Sequence, residues 1–312
     1  MPARGAGVRL SAWRVSAGLR HVGLLLAVPL LFGSSTIATG DEARWPSSPS
    51  KVFVGAGDIA YCDHDGDDRT AALLDEIEGA VFTIGDNSQN EGTHQQFHDC
   101  FEPGWGRHKW RTRPAVGNHD RLTAGAQGYF DYFGEAAGPA GRGYYSYEVG
   151  DWRIVTLDSN CDYVGGCHAG SEQERWLRAE LAANPAPCTL AIWHHPLFNS
   201  GDVGEHPQVR DLWIALEEAG ADIVLNGHDH HYERFARQDA YGQRSQTGMR
   251  QFIVGTGGAT PHGVGVASPN SELFRIGSLG LLKFELRPNS YTWEFISTPG
   301  DSFTDRGWDV CY

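Results

Sequence analysis

KVFVGAGDIAYCDHDGDDRTAALLDEIEGAVFTIGD, residues 51–86, contains two apolar runs that each end in Gly-Asp. The first, KVFVGAGD (51–58), reads as a buried strand stopped by glycines and an aspartate. DDRTAALLDEIEG (67–79) follows, with Ala71, Leu74 and Ile77 at helical spacing and Gly79 as a stop. AVFTIGD (80–86) is a second buried strand. Strand, helix and strand in this order make a βαβ unit, and its two acids, Asp58 and Asp86, sit at the carboxyl ends of the strands.

The same alternation continues outward. YYSYEV and WRIVTLDS (144–149 and 152–159) read as a hairpin around Gly150-Asp151. SEQERWLRAELAAN (171–184) is a helix opened by a capping box of Ser171 and Glu174. CTLAIWHHP (188–196) is a strand running into two histidines. PQVRDLWIALEEAG (207–220) has Pro at its start and Gly at its end, the usual punctuation of a helix. ADIVLNGHDHH is another buried strand, and RQFIVGTGG, LGLLKFEL and SYTWEFIS complete the set. No internal repeat or low-complexity linker interrupts them. The pattern predicts one α/β domain of stacked sheets with outer helices.

The first forty residues differ in kind. Their only charges are Arg4, Arg9, Arg14 and Arg20, ahead of HVGLLLAVPLLFG and the small polar run SSTIATG. That order is expected of a secretory signal peptide, residues 1–38, cleaved near Ala38. Its apolar core is about a dozen residues, short of the ~20 a membrane span needs, so no stable membrane anchor is expected. Residues 39–50 are a linker and 51–312 the catalytic domain. The protein is expected to be secreted or extracytoplasmic. Losing four arginines moves the formal charge from -14 to -18. Such a surface disfavours nucleic acid as a partner, yet accepts a small anionic substrate where cations reverse the local potential. The oligomeric state is not encoded legibly.

All six cysteines follow the leader: Cys62, Cys100, Cys161, Cys167, Cys188 and Cys311. An even count in an exported chain suggests three disulfides out of 15 possible connectivities. Cys161 with Cys167 is favoured, because the pair flanks a Gly-Gly loop. Cys62 with Cys100 and Cys188 with Cys311 are second choices.

Candidate ligands stand where apolar strands give way to loops: Asp58 in GDIA, Asp86 in GDN, Asn118 and His119 in GNHD, His194 and His195 in WHHP, His228 and His230 in GHDH. Open α/β sheets place their sites at such ends. Five of the fourteen histidines fall in three of these short motifs, a concentration that packing alone does not require. Carboxylates bridge metal pairs and neutral imidazoles complete them. Two ions about 3.5–4 Å apart can clamp the attacking and leaving oxygens of an in-line displacement at phosphorus.

This ordered set resembles the calcineurin-like metallophosphoesterases and is most similar to the purple acid phosphatases. GNHD, the His-x-Pro after a strand, GHDHHYER and SEQERWL carry the resemblance, which runs from about residue 51 to the end. It implies an αββα sandwich of stacked mixed β-sheets flanked by helices, in the small single-domain form. It also implies two divalent or mixed-valence metal ions drawn from Fe, Zn or Mn. The first would take Asp58, Asp86 and His230; the second would take Asp86, Asn118, His194 and His228, with Asp86 bridging. His119 and His195 would face the substrate oxygens as catalytic residues. A hydroxide between the metals would attack a phosphate monoester, inverting configuration at phosphorus.

One block departs from the family. The bridging-aspartate block is Gly-Asp-x-x-Tyr there, and its tyrosinate ligates the first metal and gives the purple colour. Here GDNSQ puts Gln89 in the tyrosine's place. Relatives without this tyrosine have a histidine two residues after the first aspartate, where this chain has Ala60. The first metal is left with three protein ligands, to which Gln89 or water would add, and no tyrosinate colour is expected. The alternatives are a phosphodiesterase on the same site and a non-catalytic metal-binding secreted protein.

Other residues read as structural. DHDGDD (63–68) lacks the final glutamate of a calcium loop and is expected to be a solvated acidic turn. His94, His98 and His108 are expected at the surface or in packing. GTGG (255–258) opens no helix and is not a phosphate cradle. His231 either lines the entrance or supports its loop. Trp105, Trp110 and Trp193 are expected in the core.

Overall fold

In the computed structural model, which describes residues 50–312, the opening stretch forms β1 (Lys51–Ala56), α1 (Gly66–Asp75) and β2 (Ala80–Ile84), with β1 and β2 parallel. β3 (Thr112–Ala115) extends the parallel run beside β2. A second sheet comprises β4 (Tyr145–Val149), β5 (Trp152–Thr156), β6 (Cys188–Ile192), β7 (Ile223–Asn226), β8 (His231–Phe235), β9 (Arg250–Val254) and β10 (Ser271–Ile276). Its order is β10-β8-β9-β7-β6-β5-β4. β11 (Gly280–Arg287), β12 (Ser290–Ser297) and β13 (Arg306–Val310) return to the first sheet and pair antiparallel, giving the order β13-β12-β11-β1-β2-β3. The remaining helices are α2 (His94–Gln96), α3 (Asn118–Leu122), α4 (Gln127–Phe133), α5 (Glu172–Ala183) and α6 (Arg210–Glu218). The expected stack of mixed sheets flanked by helices is the fold observed. The expected leader and nearly all of the expected linker, residues 1–49, lie outside the described residues. No described helix is long and apolar enough to cross a membrane.

Side-chain alternation builds the layers. Ile223 and Leu225 of β7, with Phe252 and Val254 of β9, join the main core shared with Phe53, Phe82 and Phe284 of the first sheet. Their neighbours Val224 and Ile253 instead pack with Leu177 of α5 and Leu212, Trp213 and Leu216 of α6. Successive strand residues point to opposite faces, so one run of apolar residues serves both the sheet-on-sheet core and the helical layer.

Several local expectations shift. α1 ends at Asp75, because Glu76 and Ile77 donate to carbonyls three residues back and tighten the last turn. Gly79 then turns the chain at φ +116°, where a Cβ would stand 2.5 Å from Val52 O. Ser171 caps α5 by accepting from Glu174 N, but the Glu174 carboxylate takes Gly170 N and not Ser171 N. The DHDGDD turn is only partly solvated: Asp67 is buried in the first turn of α1, and burial pushes its carboxyl up to about 7. Trp105 and Trp193 are core residues. Trp110 is not; it is 80% exposed, because the 3₁₀ turn Trp105–Arg111 directs Trp105 and His108 inward and Trp110 away. Cys62–Cys100, Cys161–Cys167 and Cys188–Cys311 are bonded.

Candidate active site

All eight sequence-predicted site residues lie at the carboxyl ends of β1, β2, β3, β6 and β7, where the two sheets meet. Gly57 N at the end of β1 donates to Val254 O at the end of β9 (2.9 Å), joining the sheets at this edge. Beyond β1 and β2 the loops stay paired: Asp58 N to Gly85 O, Ile59 N to Asp86 O and Ala60 N to Asn87 O. Three candidate ligands adopt the left-handed region: Asp58 (φ 59°), Asp86 (φ 49°) and His228 (φ 72°). Each such residue costs on the order of 1–3 kcal/mol and persists only where its surroundings fix it. Each also follows a glycine that admits a neighbour. A Cβ on Gly85 would lie 2.6 Å from His194 Nδ1, and one on Gly227 2.5 Å from Asp58 Oδ2.

The polar atoms are oriented as a donor set. His194 Nδ1 lies 2.8 Å from Ile84 O, which can only accept, so this nitrogen carries the proton. Nε2 of the neutral ring is therefore bare. It faces Asn118 Oδ1 at 3.0 Å and Asp86 Oδ2 at 3.1 Å, two acceptor oxygens against one acceptor nitrogen. Such a cluster needs a cation or an added proton. Accordingly, although burial pushes the His194 imidazole down, the Asp86 and Asp58 carboxylates outweigh it and lift the ring to about 9. Asp86 is fully buried, which alone would raise its pKa; the facing His194 holds it well below the usual carboxylate range. Asp86, His194 and His228 offer ligand atoms within 4.8 Å of one another.

On the other side, His230 Nδ1 donates to Thr260 O (2.6 Å), leaving Nε2 to face Asp58 Oδ1 at 3.5 Å. Asp58 Oδ2 accepts from His228 N (2.9 Å), while its buried Oδ1 has no hydrogen-bond partner. Both amide atoms of buried Gln89 are also without partners. Orphaned acceptors of this kind fit a metal cation, because a buried carboxylate oxygen without a partner is otherwise costly. Asp58, Asp86 and His230 do not close within the 4.8 Å that gathers the other trio.

The two predicted catalytic histidines flank these donors. His119 N donates to Asp86 Oδ1 (2.8 Å), its Nδ1 donates to Asn90 O (2.6 Å), and its Nε2 is 3.9 Å from Asp86 Oδ2. His195 pairs through Nδ1 with Ser159 Oγ (2.8 Å) and is held down at about 2 by burial and by His194.

Several contributors escaped the sequence reading. His206, carried by the loop before α6, brings a ring nitrogen within 4.8 Å of those of His195 and His228. Burial and His194 push it down to about 4. Its only signal was its place between WHHP and the next helix. Asp120 of GNHD accepts from Gly117 N, Asn87 N and Asn87 Nδ2, tying the β2 and β3 loops together. Asp229 accepts from Asn199 Nδ2 and faces His262 Nδ1 at 3.1 Å, and the His262 ring stacks on His230 at 3.7 Å. A lone histidine in the loop ATPHGVG gave no signal of that. His231 is buried between Asp229 and Glu233 and supports its loop. A cavity of about 840 Å³ beside Trp110 and Arg111 includes none of the candidate ligands.

Comparison with known proteins identifies the family and the fold. The family model for calcineurin-like phosphoesterases matches residues 52–232. Purple acid phosphatase 15 of Arabidopsis thaliana is 29% identical over 252 residues, 68% of this chain and 46% of that one. An uncharacterized protein of Mycobacterium tuberculosis is 26% identical over 232 residues, 62% of this chain and 44% of its own length. The chain thus spans less than half the length of these relatives. The purple acid phosphatase PPD1 of yellow lupin superposes with a TM-score of 0.68 at 18% identity, covering 84% of this chain and 54% of that one; at that identity the likeness shows the fold.

Proposed function

The chain belongs to the calcineurin-like phosphoesterase family, and from that membership we propose that it is an exported dinuclear-metal phosphomonoesterase. The observation that carries the reading is the close approach of Asp86 Oδ2 and Asn118 Oδ1 to His194 Nε2, the ring nitrogen that Ile84 O leaves free for a ligand, beside a catalytic-type histidine. Two cations drawn from Fe, Zn or Mn would be held by Asp58, Asp86 and His230 on one side and Asp86, Asn118, His194 and His228 on the other. Such ions supply positive charge to phosphate oxygens and acidify water.

The chain's own groups supply the rest. A water attacks phosphorus in line with the departing alcohol, so configuration should invert. His119, steered by Asn90 O, hands the leaving alkoxide a proton or orients the water. His195, fixed through Nδ1 by Ser159, directs Nε2 at an equatorial phosphate oxygen, where a preorganised dipole stabilises developing charge. Three disulfides suit an oxidising compartment and support export.

The test is elemental analysis of the purified protein beside turnover of a monoester and a diester, before and after chelation. Metal-dependent monoester hydrolysis is expected. Diester preference would move the assignment to a phosphodiesterase, and tight metal without turnover would leave a binding protein.

A further inference from the structure

A cavity of about 450 Å³ opens directly from the histidines. It is lined in part by His195 and His206, and beyond them by Asn160, Asp162, Tyr163 and Gln208. His195 and His206 in turn adjoin His228, which shares the candidate metal group with Asp86 and His194. Whatever is esterified to a phosphate held at that group has this cavity beside it.

Three features set its chemistry. Tyr163 is 57% exposed although it is a large aromatic residue next to the centre. It is also held in place. The turn Cys161–Tyr163 is closed by Tyr163 N donating to Asn160 O (2.9 Å) and pinned by the Cys161–Cys167 bond. The guanidinium of buried Arg121, itself paired with Asp158, lies 5.6 Å from the Tyr163 ring centroid and backs it. Finally, no lysine or arginine lines the cavity, and Asp162 contributes an exposed carboxylate.

We propose that this cavity is the leaving-group subsite, and that it selects phosphate monoesters whose alcohol carries a flat aromatic ring and no second anionic group. The inference rests on the phosphomonoesterase reading and adds its substrate class. Tyr163 supplies a preorganised stacking face, which costs little entropy because its turn is already closed. Asn160 and Gln208 supply amides for polar edges of the ring. Asp162, with no lysine or arginine among the described lining residues, disfavours bisphosphates and other polyanions.

The experiment compares kcat and KM of the metal-loaded wild type, Tyr163→Leu, Tyr163→Phe and Asp162→Lys. Its substrates are phenyl phosphate, adenosine 5′-monophosphate, glycerol 2-phosphate and fructose 1,6-bisphosphate. Tyr163→Leu should lower kcat/KM for one or both aromatic substrates about five- to tenfold, mainly through KM, and leave glycerol 2-phosphate unchanged. Tyr163→Phe should restore the loss. The phenyl and adenosine arms tell whether the ring sits on the ester oxygen or one sugar away. Asp162→Lys should raise kcat/KM for the bisphosphate selectively. Equal losses on aromatic and aliphatic esters, or no loss, would overturn the subsite. A wild type inactive on every ester sinks the phosphatase reading instead. Calorimetric binding of phenylphosphonate against methylphosphonate to the same variants then decides the subsite alone: a preference for the phenyl ligand that Tyr163→Leu removes supports it, and no preference ends it.

Discussion

The two halves of the donor set differ in how completely the protein builds them. Around His194, Asp86 Oδ2 and Asn118 Oδ1 stand at 3.1 and 3.0 Å, and Asp86, His194 and His228 close within 4.8 Å. Around Asp58 Oδ1, the nearest candidate ligand atom is His230 Nε2 at 3.5 Å, and the amide of Gln89 remains buried without partners. The same device positions both halves, a Gly-Asp at the end of a parallel strand with the acid in the left-handed region. A full set of short contacts holds its own geometry through hydrogen bonds and neighbouring carboxylates. A sparse set leaves that work to the ion.

The largest effect should come from the residue common to both halves. Asp86→Asn is expected to remove more than about a thousandfold of activity and both ions, beyond the 10–100-fold typical of outer-layer partners. Elemental analysis beside turnover checks it, and retention of one full equivalent of metal would mean that Asp86 does not bridge. Separating the halves comes next. His194→Ala should lose the ion of the closed half, and His230→Ala that of the sparse half, each with roughly a hundredfold loss of activity or more. In a chelator titration of the wild type the sparse half should empty first; simultaneous loss would erase the contrast. Filling the gap sharpens it: iron-loaded wild type should be colourless, whereas Gln89→Tyr should gain a visible absorption band and hold iron more tightly. An unchanged spectrum would show that this position does not reach the ion. The smallest effect is on stability. Gln89→Met removes two unpartnered buried polar atoms and should stabilise the metal-free protein by about 1 kcal/mol in urea denaturation, with the gain shrinking or reversing once metal is added. A destabilised metal-free variant would show that the amide is already satisfied.

Much of this was legible because it is local. The period of apolar residues in KVFVGA, AVFTI and CTLAI announces buried strands, and GD, GNHD, WHHP and GHDH mark their ends. Parity pointed to three disulfides and the short Gly-Gly loop to Cys161–Cys167, whereas Cys62–Cys100 and Cys188–Cys311 were second choices that the fold brings together. Short-range signals also misled. Trp110 is apolar by type, yet a 3₁₀ turn points it outward, and Asp67 is acidic by type, yet α1 buries it. His206 and Tyr163 have unremarkable neighbours in sequence, and their importance comes from what lies across the cleft.

By itself the sequence determined the order of strands and helices and the residue types at each strand end, because periodicity and side-chain chemistry are written within a few residues. Tertiary structure decided which imidazole nitrogen is bare, which carboxylate oxygen is orphaned and which loops share a cavity. Those depend on sheet order and register, which bring residues as distant as Asp58 and His230 within 3.5 Å. Separations of that size are set by long-range packing that no short stretch of chain encodes.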